Sequence, residues 1–204
     1  MSVSSPRLVS MAIGEKVDLE ELGGWRLHAD QTGLIDRFVD TDEEAMAELR
    51  RFLSYMPANN GVLPPEYDPV KDAAQEQDDI LEVLPERQAK VYDMRKIIEI
   101  IVDKGSFFEF KPRFGKSGTV GLARLNGKSV GIVANNPQFG GGALSQEACR
   151  KIIDFQVMCD SFNIPIVRFM DTPGFVVGTE AERKGAPGWI MNFMNSSCLV
   201  TVPS

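Results

Sequence analysis

Residues 119–135, TVGLARLNGKSVGIVAN, contain two short apolar runs joined at Asn126-Gly127. Asn-Gly is the dipeptide that a two-residue type I′ hairpin favours, because both central residues of that turn need a positive φ. The flanking runs, TVGLARL and KSVGIVAN, are rich in the apolar and β-branched residues that are typical of strands. This stretch therefore predicts a β-hairpin and places a sheet in the second half of the chain.

Helical and strand patterns alternate on both sides of this hairpin. Before it, DMRKIIEIIVDKG (93–105) predicts a helix that ends at Gly105, with Met94, Ile97, Ile98 and Ile101 facing inward. After it, Ser145 predicts the cap of a helix whose apolar stripe comprises Ala148, Ile152, Phe155, Cys159 and Phe162. The rest of the chain predicts a buried strand at IPIVRFM (164–170), a loop at DTPGFVVG (171–178), a helix at EAERKGAPGWIMNFMNS (180–196) and a strand at CLVTV (198–202). This alternation predicts an α/β fold.

The first 90 residues do not show this alternation of helical and strand patterns. Thr41 and Glu44 have the spacing of a capping box at the start of a predicted helix, TDEEAMAELRRFLSYM, whose apolar face is Ala45, Leu49, Phe52 and Leu53. Residues 57–86 combine several prolines with a run of acids, as linkers do. We therefore divide the chain into residues 1–57, 58–90 and 91–204. Because the sequence stops directly after a predicted strand, we expect the last part to be truncated.

Composition excludes several classes of protein. The net charge is -7 and the pI is about 4.9, whereas a nucleic-acid surface needs clustered Lys and Arg. No run approaches the roughly 20 apolar residues that cross a bilayer, and the start of the chain lacks a secretory apolar core. The three cysteines have no metal-ligand spacing. We expect an intracellular protein with neither nucleic acid, membrane insertion nor a metal site.

The DTPG of residues 171–174 has the Asp-x-x-Gly pattern of a GTPase switch. A GTPase also needs the phosphate loop G-x-x-x-x-G-K-[ST], and the sequence has two partial matches, at Gly115-Lys116-Ser117 and Gly127-Lys128-Ser129. Phe110 and Leu122 stand where the first glycine is required, and the second match lies on the predicted hairpin turn instead of at a helix N-terminus. These departures argue against a GTPase.

The same loop could instead present backbone N–H groups to a ligand. A buried strand ends here, Pro173 and Gly174 turn the chain, and the apolar residues that follow exclude water. Backbone N–H groups in such a loop can form an oxyanion hole. The alternative is a plain turn between a strand and a helix, since loops of this composition are common. Asp171 could serve as a base, but an Asp before Thr-Pro-Gly more often fixes the turn.

Three segments decide between these alternatives by resemblance. They are EELGGWRLHADQTGLIDRFVDTDEEAM (20–46), VYDMRKIIEIIVDKGSFFEFKPRFGKSGTVGLARLNGKSVGIVANNP (91–137) and KIIDFQVMCDSFNIPIVRFMDTPGFVVGTEAE (151–182). They contain the patterns LGG..LH, YD.R..I..I.D...F.EF, G.ARL.G..VGIVANNP and C..FNIP...F.DTPGF..G. In these patterns and their order the chain resembles the carboxyltransferase component of biotin-dependent acyl-CoA carboxylases.

The resemblance implies a crotonase-like α/β fold, a spiral of ββα units arranged in two halves. Residues 1–57 would end the N-terminal half, residues 58–90 would connect the halves, and residues 91–204 would begin the C-terminal half. It implies acyl-CoA as substrate, biotin on a biotin carboxyl carrier protein as cofactor, a biotin carboxylase as further partner, and a homo-oligomer in the cytoplasm, or in the mitochondrial matrix of a eukaryote. Because one protomer's second half would meet another's first half, we expect the 204-residue chain alone to be inactive.

The resemblance also indicates the site. We predict that the N–H groups of Phe175 and Val176 form a biotin-side oxyanion hole. Gly174 and Gly178 would shape this loop, and a neighbouring loop would line the biotin face with Asn135, Asn136, Pro137, Gly140, Gly141 and Gly142. Two alternatives stay open: a biotin-dependent acyl-CoA decarboxylase subunit that runs the transfer in reverse, and a noncatalytic assembly remnant of the same fold.

Overall fold

The structure is a computed structural model that describes residues 2–68, 79–85 and 90–204. Its α-helices are α1 (Pro6–Ile13), α2 (Leu19–Gly23), α3 (Asp42–Leu53), α4 (Asp79–Val83), α5 (Met94–Ile101), α6 (Gln146–Ser161), α7 (Thr179–Arg183) and α8 (Ala186–Leu199). A π-helical turn spans Leu27–Thr32 and a 3-10 turn spans Gly140–Gly142. The strands are β1 (Phe108–Phe110), β2 (Gly118–Leu125), β3 (Lys128–Asn135) and β4 (Ile166–Phe169).

The four strands form one sheet in the order β1-β2-β3-β4. β2 and β3 pair antiparallel from Gly118 opposite Asn135 to Leu125 opposite Lys128, which confirms the predicted hairpin. Asn126 and Gly127 have φ values of 52° and 79°, as a type I′ turn requires. β4 joins β3 in parallel, so α6 is the crossover between them.

The sheet is covered on both faces because its strands alternate apolar side chains between them. Val120, Leu122 and Val133 face one cluster with the buried residues of α6, and Phe193 of α8 closes it. Ala123, Ile132 and Ala134 face the other cluster, with the buried residues of α5. The predicted α/β arrangement is therefore confirmed as a sheet with helices on both sides.

Asp103 supports the hairpin turn from outside it. Its two carboxylate oxygens accept hydrogen bonds from the N–H groups of Asn126, at 2.9 Å, and Gly127, at 2.7 Å, and the residue is buried. Both turn N–H groups depend on these acceptors, because a two-residue turn leaves them outside the ladder.

We expect Asp103→Asn to lower the free energy of unfolding by about 2 kcal/mol, because the amide offers one acceptor oxygen where two are needed and leaves a buried N–H unpaired. Urea unfolding of the variant measures the loss. Asp18→Asn is the matched control, since Asp18 caps α2 through Glu21 N at an exposed site and Asn caps equally well. Equal midpoints for the two variants would contradict the role of Asp103.

The N-terminal part adds helices around this sheet. The capping box of Thr41 and Glu44 is confirmed at the start of α3. The predicted apolar face of α3 is only partly correct, because Leu49 and Leu53 are 49% and 55% exposed. Phe52 makes the contact with the core instead, together with Tyr55, whose hydroxyl donates to the carbonyl of Ser106.

Four expectations differ from the structure in detail. The helix predicted at 180–196 is two helices, α7 and α8. α5 ends at Ile101 and is capped by Val102, so Gly105 does not end it. The predicted strand CLVTV is wrong, since Cys198 and Leu199 form the last turn of α8. The chain pairs beyond it, where Ile166 N donates to Pro203 O at 2.8 Å. The strand at 164–170 is shorter than expected and only its first residue, Ile166, is buried, whereas β1 was not predicted at all.

The boundaries at residues 57 and 90 stay predictions, and much of the predicted linker, 69–78 and 86–89, lies outside the described residues.

Candidate functional site

The two predicted site loops meet at one edge of the sheet. β3 and β4 are parallel, so the loop after Asn135 and the loop after Phe169 leave the sheet at the same end. In α/β sheets this carboxyl end is where ligands commonly bind. The fold therefore brings together the residues that the sequence analysis placed on separate loops.

Asn135 fastens these loops to each other. Its side chain is fully buried; Nδ2 donates to Asp171 O at 2.5 Å and to Gly142 O at 3.3 Å, and Oδ1 accepts from Asp171 N at 2.6 Å. The amide thus pairs with the backbone of Asp171 as a further strand residue would. Asn135 therefore holds the two loops of the site together from within the protein, and its amide is not free to contact a ligand.

The side chain of Asn136 also makes hydrogen bonds within the protein. Its Oδ1 accepts from Met94 N at 3.3 Å and its Nδ2 donates to Asp93 Oδ1 at 2.7 Å, which ties the loop to the start of α5. Asp93 is the N-cap of that helix. The family patterns predict Asn136 on the biotin face. In the structure its side chain holds the start of α5 against the loop.

The glycine loop approaches the backbone of the second loop closely. A Cβ on Gly142 would lie 2.5 Å from Asn135 Nδ2 and 2.8 Å from Asp171 O, and its φ is 84°. Thr172 Oγ1 lies 2.8 Å from Gly142 O, to which it donates. Gly140 and Gly141, by contrast, border open space. Gly142 is therefore a packing requirement, while Gly140 and Gly141 leave room beside the loop.

The loop 171–178 pairs with Leu144. Leu144 N donates to Gly174 O at 2.9 Å and Val176 N donates to Leu144 O at 3.0 Å. The Val176 N–H, which the sequence analysis assigned to the oxyanion hole, is thus occupied in this conformation. Among the described residues no acceptor is recorded for the Phe175 N–H, because in this pairing it points away from Leu144.

Glycine and aromatic residues shape this loop. Gly174 and Gly178 have φ values of 124° and 120°, which L side chains rarely adopt. The Phe175 ring packs edge-on against Phe193, with ring centroids 6.1 Å apart. The side chain of Phe175 therefore anchors the loop to α8.

A cavity of about 710 Å³ opens beside these loops. Its described lining consists of Leu84, Pro85, Lys90, Val91, Tyr92, Pro137, Gly141, Asp171, Thr172 and Pro173. Phe175 is not among these residues. The cavity has the size of a pocket for a small organic group.

Tyr92 lines this cavity and is not among the site residues predicted from the sequence. Its hydroxyl donates to Asp171 Oδ2 at 2.7 Å, across 79 positions of sequence. Burial, and then the contact with Asp171, raises the pKa of Tyr92 to about 12, so the phenol keeps its proton. No short sequence pattern predicts a hydrogen bond between residues so far apart. The one feature of the sequence that singles out Tyr92 is its place in the family pattern YD.R.

Two structural findings bear on other classes of function. Within residues 2–68, 79–85 and 90–204, no group of three His, Cys, Asp or Glu side chains could hold a metal ion. In the same residues no helix is long and apolar enough to cross a membrane.

Comparison with known proteins adds the family. A model of the carboxyl transferase domain matches residues 1–204. The propionyl-CoA carboxylase carboxyltransferase subunit of Haloferax mediterranei is 40% identical over 185 residues, which are 91% of this chain and 36% of that protein. The methylmalonyl-CoA decarboxylase subunit alpha of Veillonella parvula is 35% identical over 185 residues, with the same coverage of 91% and 36%.

A solved structure agrees over the whole chain. Transcarboxylase 12S, described as a hexamer assembly with hydrolysed methylmalonyl-coenzyme A bound, superimposes with a TM-score of 0.93 at 33% identity, covering 100% of this chain and 40% of that one. The chain thus spans 36% to 40% of the length of these proteins. The crotonase-like carboxyltransferase fold implied by the sequence patterns is confirmed, and the chain belongs to the carboxyl transferase domain family.

Proposed function

We propose that this chain is part of a biotin-dependent acyl-CoA carboxyltransferase, which moves a carboxyl group between biotin and the α-carbon of an acyl-CoA. The observation that carries the proposal is the family match over all 204 residues. Two of the relatives, a propionyl-CoA carboxylase subunit and a methylmalonyl-CoA decarboxylase subunit, support an acyl-CoA as the carboxyl donor or acceptor.

The residues present fit biotin on one side of the site. The cavity of about 710 Å³ is walled by Pro137, Gly141 and Pro173, which offer apolar contact and close backbone approach to a small bicyclic ring. The Phe175 N–H, for which the described residues offer no acceptor, would be a donor to a ureido oxygen. In the reaction, biotin supplies the carboxyl group and the ureido nitrogen that exchanges a proton with the α-carbon.

The proposed work of this chain is electrostatic and needs no titrating side chain. A fixed backbone N–H would stabilise negative charge on a ureido oxygen by about 3 kcal/mol, as donors in comparable oxyanion holes do. Asn135 and Thr172 hold the loop that carries Phe175. The sequence predicts the Val176 N–H as a second donor. Because this N–H donates to Leu144 O, it would support the loop instead, and Gly178 would set the shape of the loop.

The proposal extends to partners that the chain itself does not contain. The biotin would arrive on a biotin carboxyl carrier protein after a biotin carboxylase has loaded it. The acyl-CoA side of the site would lie in sequence outside these 204 residues. A homo-oligomer is proposed because transcarboxylase 12S is described as a hexamer assembly.

A decarboxylase is the second candidate, and the relative from Veillonella parvula favours it. Decarboxylation would use the same site with the carboxyl group moving from acyl-CoA to biotin. The two candidates therefore share one half-reaction, and they differ in what happens to the carboxyl group afterwards.

We expect the protein expressed from its complete reading frame to transfer the carboxyl group of methylmalonyl-CoA or malonyl-CoA to free biotin. The α-carbon loses the carboxyl group and takes the ureido proton, so propionyl-CoA or acetyl-CoA appears in equal amount to carboxybiotin. Chromatography of the acyl-CoA products measures it, with reactions lacking biotin as the control. Formation of product at the same rate without biotin would contradict the proposal. We expect no hydrolysis of GTP.

A further inference from the structure

Tyr92 occupies a position between two cavities. One is the cavity beside Pro137 and Pro173 described above, and the other, also about 710 Å³, is lined by Glu82, Val83, Val91, Tyr92, Asp93, Lys96, Ile100 and Gln138. The half-buried ring of Tyr92 lies in the wall of both. It is the residue at which the segment before α5 reaches the loop 171–178.

The contact between Tyr92 and that loop goes through the Asp171 side chain. Asp171 Oδ2 accepts from the Tyr92 hydroxyl at 2.7 Å, and among the described residues this is the only hydrogen bond recorded for that carboxylate. The backbone of the same residue is held independently by Asn135, through Asp171 N at 2.6 Å and Asp171 O at 2.5 Å. Asp171 is thus held at two points, with the loop to Phe175 beginning directly after it.

These two attachments differ in what they can contribute. The Asn135 contacts are buried and belong to the framework between β3 and β4. The Tyr92 contact is at an exposed edge, so it contributes little to global stability, as surface hydrogen bonds generally do. It fixes the direction of the Asp171 side chain at the start of the loop 171–178. The high pKa of Tyr92, about 12, keeps the phenol a donor at neutral pH.

We propose that Tyr92 is a positioning residue for carboxyl transfer: through Asp171 it holds the loop 171–178 so that the Phe175 N–H is aligned. This inference rests on the function proposed above. It makes Tyr92, two residues before the start of α5, a part of the site, because its hydroxyl makes the contact with Asp171.

Tyr92→Phe removes the hydroxyl and keeps the ring. We expect kcat for transfer from methylmalonyl-CoA to biotin to fall about tenfold, since small misplacements of catalytic groups have effects of this order. The KM for the acyl-CoA should stay within twofold and the melting temperature should not change. Tyr67→Phe is the matched control: Tyr67 also precedes α5, its ring stacks on the Arg124 guanidinium at 4.2 Å, and its hydroxyl has no recorded hydrogen bond among the described residues.

A double-variant cycle separates positioning from a general loss of structure. If Tyr92 acts through Asp171, then Asp171→Ala, which removes the acceptor, combined with Tyr92→Phe should reduce kcat no further than the more severe single variant does. Multiplied effects of the two changes would mean that the residues act separately, and would overturn the inference.

Hydrogen exchange tests the same inference without turnover. In Tyr92→Phe the amide of Val176, which donates to Leu144 O, should exchange at least tenfold faster than in the wild type, while amides of β3 stay unchanged. If the wild type transfers no carboxyl group, the proposed function fails, and exchange still decides about Tyr92. Unchanged exchange in the loop would overturn the positioning role, whatever the activity.

Discussion

Replacement of Lys151 by methionine is expected to lower the free energy of unfolding by about 3 kcal/mol or more, because three buried acceptors lose their donor together. Lys151 is 1% exposed in the middle of α6. Its Nζ donates to Lys111 O at 2.9 Å, Phe114 O at 3.1 Å and Gly118 O at 2.8 Å. Methionine fills a similar volume and offers no donor.

The state of charge follows from the same contacts. Burial lowers the pKa of Lys151 to about 7, whereas three carbonyl oxygens match the three donors that only the ammonium form has. The ammonium therefore acts as the centre of the turn from Lys111 to Gly118, in the way that a bound cation organises a loop. This turn carries Ser117, whose carbonyl accepts from Asn136 N at 2.8 Å and whose Oγ accepts from Ser145 N at 3.1 Å. Loss of Lys151 should thus loosen the base of the candidate site.

Urea unfolding followed by tryptophan fluorescence measures this loss, and Lys128→Met is the matched control. Lys128 is 64% exposed at its side chain and pairs with Glu66 at 3.6 Å. Exposed pairs of this kind contribute about 0–1 kcal/mol, so the control should unfold almost like the wild type. If Lys151→Met had the same midpoint as Lys128→Met, the three carbonyls would have other partners and the role assigned to Lys151 would be wrong.

Local signals predicted the parts of the fold that local chemistry decides. Asn126-Gly127 identified the hairpin because its positive φ values depend on these two residues. Thr41 with Glu44, and Ser145, identified helix starts because a cap is satisfied within four residues. Each of these predictions is confirmed, since tertiary packing had little to add.

Packing decided the elements that were predicted wrongly. Cys198 and Leu199 have strand-like neighbours, yet α8 continues through them, packed along α6. Leu49 was placed inward by periodicity and is exposed, because the contact of α3 with the core is made by Phe52. A short apolar run does not identify its own partner, so periodicity alone cannot distinguish these cases.

The loops of the candidate site were predicted from the sequence, but the contacts that their residues make were not. The loops around Asn135 and Phe175 were found through the family patterns, and the parallel pairing of β3 with β4 brings them together. That Asn135 holds a backbone, and that Tyr92 reaches Asp171, depends on contacts between residues 36 and 79 positions apart. Such contacts follow from the fold as a whole, and no spacing within either segment encodes them.

The second large effect is expected at Gly142. Gly142→Ala should reduce carboxyl transfer to biotin by about 100-fold, the loss that follows from misplacing catalytic groups by about 1 Å. The new Cβ would lie 2.5 Å from Asn135 Nδ2 and 2.8 Å from Asp171 O, and a φ of 84° is itself unfavourable for alanine. Because Asn135 Nδ2 donates to Asp171 O, the clash acts on the contact that holds the loop of Phe175. Steady-state kinetics with methylmalonyl-CoA and biotin measure the effect.

Gly140→Ala separates this clash from backbone strain. Gly140 has a φ of 59° in the same loop, and a Cβ there would meet nothing within 4 Å. Alanine at this position therefore has the strain of a left-handed residue, about 1 kcal/mol, without touching Asn135 or Asp171. Transfer should stay within threefold of the wild type. Equal losses in the two variants would mean that the loop tolerates no alanine at all, and the close approach of Gly142 to Asp171 would not be what transfer requires.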